Sequence, residues 1–180
     1  MSTPGHFELT VPLSAADHVL GDAPAPIMVV EYGDFECPNC KQAAPAVKLL
    51  LARFPGRVRL AYRHFPLEEV HPHALMAAEV AEIAGAQGKF WEMHDILYDN
   101  QLHLRAASLR GYAERLQLDM ARYSGELDDH IYLQRIREHA LGGRNSGVRG
   151  TPTFFVNRII QDVSFGMHRL FDAVESALGR

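Results

Sequence analysis

Cysteine is scarce in this chain: two in 180 residues, both in the stretch Cys37-Pro38-Asn39-Cys40. Two neighbouring thiols exclude a disulfide-stapled scaffold, and a chain this long buries about two thirds of its unfolded surface without one. Positive charge is not in excess either, with 18 Lys and Arg against 22 Asp and Glu, so a nucleic-acid-binding surface is not expected. No apolar run approaches the ~20 residues that cross a bilayer, so no membrane span is expected. Met1–Thr10 lacks the basic and apolar regions of a signal peptide. The expected compartment is therefore the cytoplasm, or the periplasm if a leader has been trimmed away. Internal repeats and low-complexity tracts are absent. What is there, 47% hydrophobic and 22% charged residues, suits one ordinary globular domain.

Residues 1–26, punctuated by Pro4, Pro12, Pro24 and Pro26, read as a lead-in with room for a short strand at Phe7–Val11. Ile27–Val30 is a compact apolar run, the mark of a strand buried on both faces. A helix is predicted from Pro38, where the missing N–H would have been an orphan anyway. Ala43, Val47, Leu50 and Phe54 make its apolar stripe, Pro45 is expected to kink it, and Pro55-Gly56 to stop it. Arg57–His64 alternates as a strand of period two. Strand, helix and strand predict a βαβ unit with parallel strands.

From 73 to 146 no strand pattern occurs. Met76/Val80/Ile83, Phe90/Met93/Leu97, Leu109/Tyr112/Leu116 and Tyr132/Ile136/Ala140 predict helices, with Ser108 and Asp119 as N-caps and Gly85–Lys89 as a break. After the glycine-rich Gly142–Gly147, Thr153–Val156 and Ile159–Val163 read as an antiparallel hairpin, closed by an amphipathic helix from Met167. The expected architecture is α/β: βαβ then ββα, residues 27–72 and 147–180 forming the core and 73–146 an all-helical insertion.

Two thiols at the start of a helix, directly after a buried strand, face backbone N–H groups and the positive end of the helix dipole, which favour a thiolate. Cys37 is expected to be the exposed, attacking sulfur and Cys40 the inner one that resolves a mixed disulfide. A structural zinc site wants four ligands, and there is no second cysteine pair; His64, His71 and His73 are a thin alternative. A structural disulfide closing so short a loop gains little. Glu31, on an apolar strand six residues before Cys37, is either a buried acid that shuttles the inner cysteine's proton or a solvated strand-end carboxylate. Thr151-Pro152 is a candidate cis proline beside which backbone could pair with an extended substrate.

Glu31 through Cys40, Pro45, Arg63-His64-Phe65-Pro66-Leu67, His71-Pro72-His73-Ala74, Gly88–His94 and Gly150–Asn157 together resemble the DsbA-like thioredoxin-fold thiol–disulfide oxidoreductases. They are most similar to the soluble branch that also occurs fused to Na+/H+ antiporters. The resemblance spans about 17–179. It implies a thioredoxin fold carrying the helical insertion, Cys37 as nucleophile, Cys40 as resolving thiol, Glu31 as buried proton carrier and Pro152 as cis proline. Thr151, Pro38, Asn39 and Gly150 would meet the substrate. No cofactor or metal is implied beyond the redox-active Cys37–Cys40 disulfide, with glutathione as a candidate co-substrate. Protein or peptide thiols and a recycling redox partner are the implied partners of a monomer.

The sequence departs from the family in two places. Asn39 replaces the histidine of the archetypal oxidase, while Asp34 and Glu36 add negative charge near Cys37. Both predict an oxidant weaker than DsbA's roughly −120 mV, towards thioredoxin's roughly −270 mV. Asn157-Arg158 replaces Asn-Gly, and arginine resists the positive φ of a type I′ turn. Three alternatives share the fold: a disulfide reductase or isomerase, a glutathione-dependent isomerase or transferase, and a non-enzymatic peptide-binding module.

Overall fold

The computed structural model describes residues 7–179. The first six residues of the expected lead-in, Pro4 among them, lie outside the described residues. Five strands form one mixed sheet: β1 (His18–Leu20), β2 (Ile27–Gly33), β3 (Val58–His64), β4 (Thr153–Val156) and β5 (Ile159–Gln161), in the order β1-β3-β2-β4-β5. β2 and β3 are parallel, and the remaining pairs are antiparallel. The sheet is thus a βαβ unit joined to a ββα unit, the thioredoxin fold, with a helical insertion between them.

The helix of the first half is α1 (Pro38–Arg53), that of the second α7 (His168–Leu178). Between β3 and β4 lie α2 (Ala74–Ala86), α3 (Phe90–Asp99), α4 (Ala106–Arg115), α5 (Met120–Asp128) and α6 (Leu133–Asn145).

Side-chain alternation sorts the central strands into two cores. Val29, Leu60, Phe154 and Val156 meet Ala43, Val47 and Leu50 of α1 and Leu170 and Val174 of α7. On the other face Val30, Tyr32, Ala61 and Phe155 meet Ala140 of α6 and Leu9. The insertion packs its own core, from Ala77 to Tyr123, against Phe35, Tyr62 and both cysteines.

Several local expectations are corrected. Phe7–Val11 makes one isolated bridge, Glu8 to Ile159, rather than a strand. The strand of this segment is β1, whose three residues pair with the edge of β3. β3 does not alternate in burial, because α1 and α3 cover one face and α6 the other; even Arg63 is buried. Ser108 lies inside α4, which begins after an extended Arg105, whereas Asp119 caps α5 by accepting from the N–H groups of Ala121 and Arg122. α6 runs on through Gly142 and Gly143, where a Cβ at 143 would lie 2.9 Å from Phe65 and 3.0 Å from Tyr32. β5 stops at Gln161, since the Asp162 side chain turns back to accept from Ser164 N–H.

Arg158 does adopt positive φ (77°), as does Asn157 (45°). The turn is held from outside: Leu9 N–H donates to the Arg158 carbonyl at 2.8 Å, and the Arg158 guanidinium to the Leu9 carbonyl at 3.2 Å.

Candidate active site

β2 ends at Gly33, and Asp34-Phe35-Glu36 turn the chain into α1. Cys37 is the N-cap residue, extended at φ −75°, ψ 120°, with Pro38 following in the first turn. Its N–H donates to the Asp34 carbonyl, while the Gln101 side-chain amide, from the loop after α3, donates to the carbonyls of Phe35 and Cys37, both at 2.9 Å. Gln101 was not legible as a site residue, because nothing in its own neighbourhood signals a partner that far back in the chain.

Both cysteines are free thiols. Cys37 is not the exposed sulfur expected: it is only 4% exposed, since the Thr151–Pro152 loop folds over it and its Sγ donates to the Thr151 carbonyl at 3.3 Å. Cys40 is fully enclosed. The two titrate in opposite directions. The Cys40 thiol beside Cys37 outweighs the cost of burial and, with the Thr151 side chain and the backbone N–H groups of Cys40 and Asn39, holds the Cys37 thiol down at about 5. Burial, then the neighbouring Cys37 and Glu31, push Cys40 well above an ordinary thiol.

Glu31 points from β2 into the same enclosed region, 2% exposed, with no partner for its Oε1. Burial alone pushes its carboxyl up to about 8. The solvated strand-end alternative is therefore excluded.

The added acids do not act on Cys37 as their sequence positions suggest. Asp34 is enclosed and accepts from the N–H groups of Glu36 (2.8 Å) and Leu67 (2.9 Å) and pairs with His71 Nδ1 at 2.8 Å. Glu36 accepts from His73 N–H at 2.6 Å. Their carboxylates fix the 65–73 loop, and neither is among the strongest influences on the Cys37 thiol. His64 pairs with Glu82 at 2.8 Å, so the three histidines stand apart. Among the described residues, no cluster of three or more His, Cys, Asp or Glu side chains is arranged to hold a metal.

The Thr151–Pro152 bond is cis. Beside it opens a groove of about 790 Å³, lined by Asn39, Gln42, Arg149, Gly150, Thr151 and Pro152 together with Gln161, Asp162, Val163, Ser164, Gly166 and Met167. Pro38, exposed at the first turn of α1, does not line it. Cys37 does not itself line the groove; its low-pKa sulfur lies behind the groove wall, against Thr151, with a second thiol and a buried acid further in.

A family model described as Thioredoxin matches residues 13–175. The Na(+)/H(+) antiporter NhaA 1 of Salinispora arenicola is 52% identical over 174 residues, which is 96% of this chain and 26% of that protein. An antiporter of the same name from Mycolicibacterium vanbaalenii is 38% identical over 162 residues, 89% of this chain and 26% of its own. The chain thus spans about a quarter of the length of these curated relatives. Among solved structures, oxidised BdbD from Bacillus subtilis superposes with a TM-score of 0.80 at 21% identity, covering 90% of this chain and 92% of that one. A thioredoxin-like oxidoreductase from Silicibacter pomeroyi superposes with a TM-score of 0.79 at 25% identity, covering 93% and 95%. No described helix is long and apolar enough to cross a membrane.

Proposed function

The chain belongs to the thioredoxin family, and from that premise we propose that it is a thiol–disulfide oxidoreductase working through Cys37 and Cys40. The observation that carries this reading is the pairing of unlike sulfurs: Cys37 held at about 5 against Thr151 of the groove wall, Cys40 enclosed and raised behind it. The thioredoxin-like oxidoreductase of Silicibacter pomeroyi, similar over nearly the whole chain, supports it.

In the oxidising direction a substrate thiolate attacks Cys37 Sγ of the Cys37–Cys40 disulfide. A bond forms between substrate sulfur and Cys37, the Cys37–Cys40 bond breaks, and Cys40 leaves as a thiolate. Glu31, protonated at neutral pH because its carboxyl stands at about 8, gives that thiolate its proton. A second substrate thiolate then attacks the first substrate sulfur and expels Cys37, which leaves readily because its pKa is low. The substrate is oxidised by two electrons, and the protein holds them as a thiolate and a thiol. The reverse sequence reduces a disulfide, with Glu31 as carboxylate accepting the Cys40 proton. The cis Pro152 loop and Asn39 and Gly150 hold the substrate chain while sulfur is exchanged.

A Cys37 thiol near 5 lies between DsbA's roughly 3.5 and thioredoxin's roughly 7. The expected reduction potential therefore falls between roughly −120 and −270 mV. Equilibration in glutathione buffers, with free thiols counted by alkylation, measures it. A value above about −200 mV assigns an oxidant suited to an oxidising compartment; one near about −270 mV assigns a reductase suited to the cytoplasm. Failure to form an intramolecular disulfide at any poise overturns the proposal. Cys40→Ser is expected to trap mixed disulfides on Cys37; a variant that instead conjugates glutathione at the parent rate points to a transferase.

A further inference from the structure

Behind the cysteine pair lies a set of polar atoms that sulfur exchange alone does not use. Tyr62 on β3 is the register partner of Glu31 on β2, so both side chains leave the sheet on the face that α1 and the insertion cover. The Tyr62 ring runs forward over Gly33 so closely that a Cβ there would lie 2.6 Å from the hydroxyl oxygen. It stacks on Phe35, ring centres 5.2 Å apart, directly under the turn that carries Cys37. Its hydroxyl is 3.0 Å from that of Tyr98 on α3, and both rings are buried.

Two facing hydroxyls own two protons, and the hydrogen bond between them uses one. Among the described residues, the other O–H has no acceptor. Glu31 Oε1 is a buried acceptor with no donor. A spare donor and a spare acceptor thus lie buried on the same face of the sheet, with Cys40 in the cluster of the two tyrosines.

We propose that Tyr62, aimed by Tyr98, is a positioning residue for proton transfer at the inner cysteine: when Glu31 gives up its proton, the free O–H of the tyrosine pair donates to the new carboxylate. This rests on the reading of Glu31 as the proton carrier. No tyrosine proton is transferred, in keeping with the burial that pushes both phenols well above their ordinary range. The other polar groups facing the pair are Cys40 from α1, His94 from α3, His64 at the end of β3 and Asp34 in the turn. Asp34 is engaged elsewhere, with His71, and His64 Nε2 with Glu82, but His64 Nδ1 has no partner. His94 and His64 are the rival donors, because His94 Nε2 and His64 Nδ1 both lack partners.

The test follows both sulfurs in one reaction. Reduced protein is mixed with an aromatic nitrobenzoate disulfide reagent. Cys37 attacks it and releases one coloured thiolate; Cys40 then attacks the mixed disulfide and releases the second. The pH profile of the second phase carries the Glu31 limb, which lies near 8. Removing the donor destabilises the carboxylate, so Tyr62→Phe is expected to move that limb upward by about half a pH unit or more, about threefold in rate on its acid side. Tyr98→Phe moves it the same way and carries the test if Tyr62→Phe does not fold. In a Glu31→Gln background neither substitution has a limb left to move. A limb that stays put in the folded tyrosine variants, or moves only with His94→Phe or His64→Phe, overturns the inference and leaves the Glu31 reading standing. A limb that survives Glu31→Gln overturns both.

Discussion

Glu31 and Glu82 are buried to the same degree, 2% exposed each, yet their surroundings drive them in opposite directions. Around Glu82, where α2 meets the sheet and α6, His64 Nε2 lies 2.8 Å from Oε1, and His18 Nε2 and Arg135 Nε lie 3.0 and 3.1 Å from Oε2. Burial pushes that carboxyl up, but the hydrogen bonds and charges of His18 and His64 outweigh it and hold it well below the usual carboxylate range. Around Glu31, burial acts alone and the carboxyl rises to about 8. The side chains of Asp17 and Arg63, also enclosed, follow the Glu82 pattern, with Nε to Oδ1 at 2.8 Å and Nη2 to Oδ2 at 3.1 Å. Where a buried charge ties elements together, this protein surrounds it with partners; where it withholds them, the group is left able to change protonation near neutral pH.

The comparison breaks first at Glu82. Removing one member of a buried charge cluster leaves its partners unpaired, so Glu82→Gln is expected to lose about 3–5 kcal/mol at neutral pH in urea denaturation. Because the folded carboxyl titrates well below the unfolded value of 4.5, its contribution is present above that pH and is lost as pH falls from there through the lower folded value. The variant should lack that portion of the acid-side decline. An unchanged midpoint would mean that the cluster ties nothing together.

Glu31 should behave in the reverse sense. Its folded pKa is raised from 4.5 to about 8, so the folded protein binds the extra proton across that window and stability falls as pH rises through it. Glu31→Gln is expected to stabilise the protein by a few kcal/mol, on the order of 3, above pH 8 and by little at pH 4. It should also slow turnover. A stabilised but slower variant sharpens the contrast; a destabilised one means Glu31 has a partner that matters.

What sequence could convey follows the same division. The thiol pair, the apolar stripes of α1 and the insertion, and the Thr153–Val156 strand are local signals, and each marks an element of the fold. β1 is not local: His18-Val19-Leu20 is too short to show a period and is a strand only because it pairs with β3. Gln101, Tyr98 and the partners of Glu82 belong to the site or its supports through contacts across dozens of residues. Tyr62 reads in the sequence as one more member of a strand; its packing over Gly33 is visible only once β2 and β3 are in register.

Asp34 gives the finest test, because sequence position and fold disagree about it. Counted along the chain, it is an anion three residues from Cys37 that should raise the thiol. In the fold its oxygens accept from Glu36 and Leu67 and pair with His71. Asp34→Asn puts an NH₂ where one of these donors points, an unmade buried hydrogen bond costing about 1–3 kcal/mol. The Cys37 titration, followed by thiolate absorbance, is nevertheless expected to move by less than about half a pH unit. Its low value comes from Cys40, Thr151 and the first N–H groups of α1, and none of these is removed. A fall of a full unit or more would mean that the carboxylate still acts on the sulfur through its hydrogen bonds, and that counting charges along the chain was the better guide.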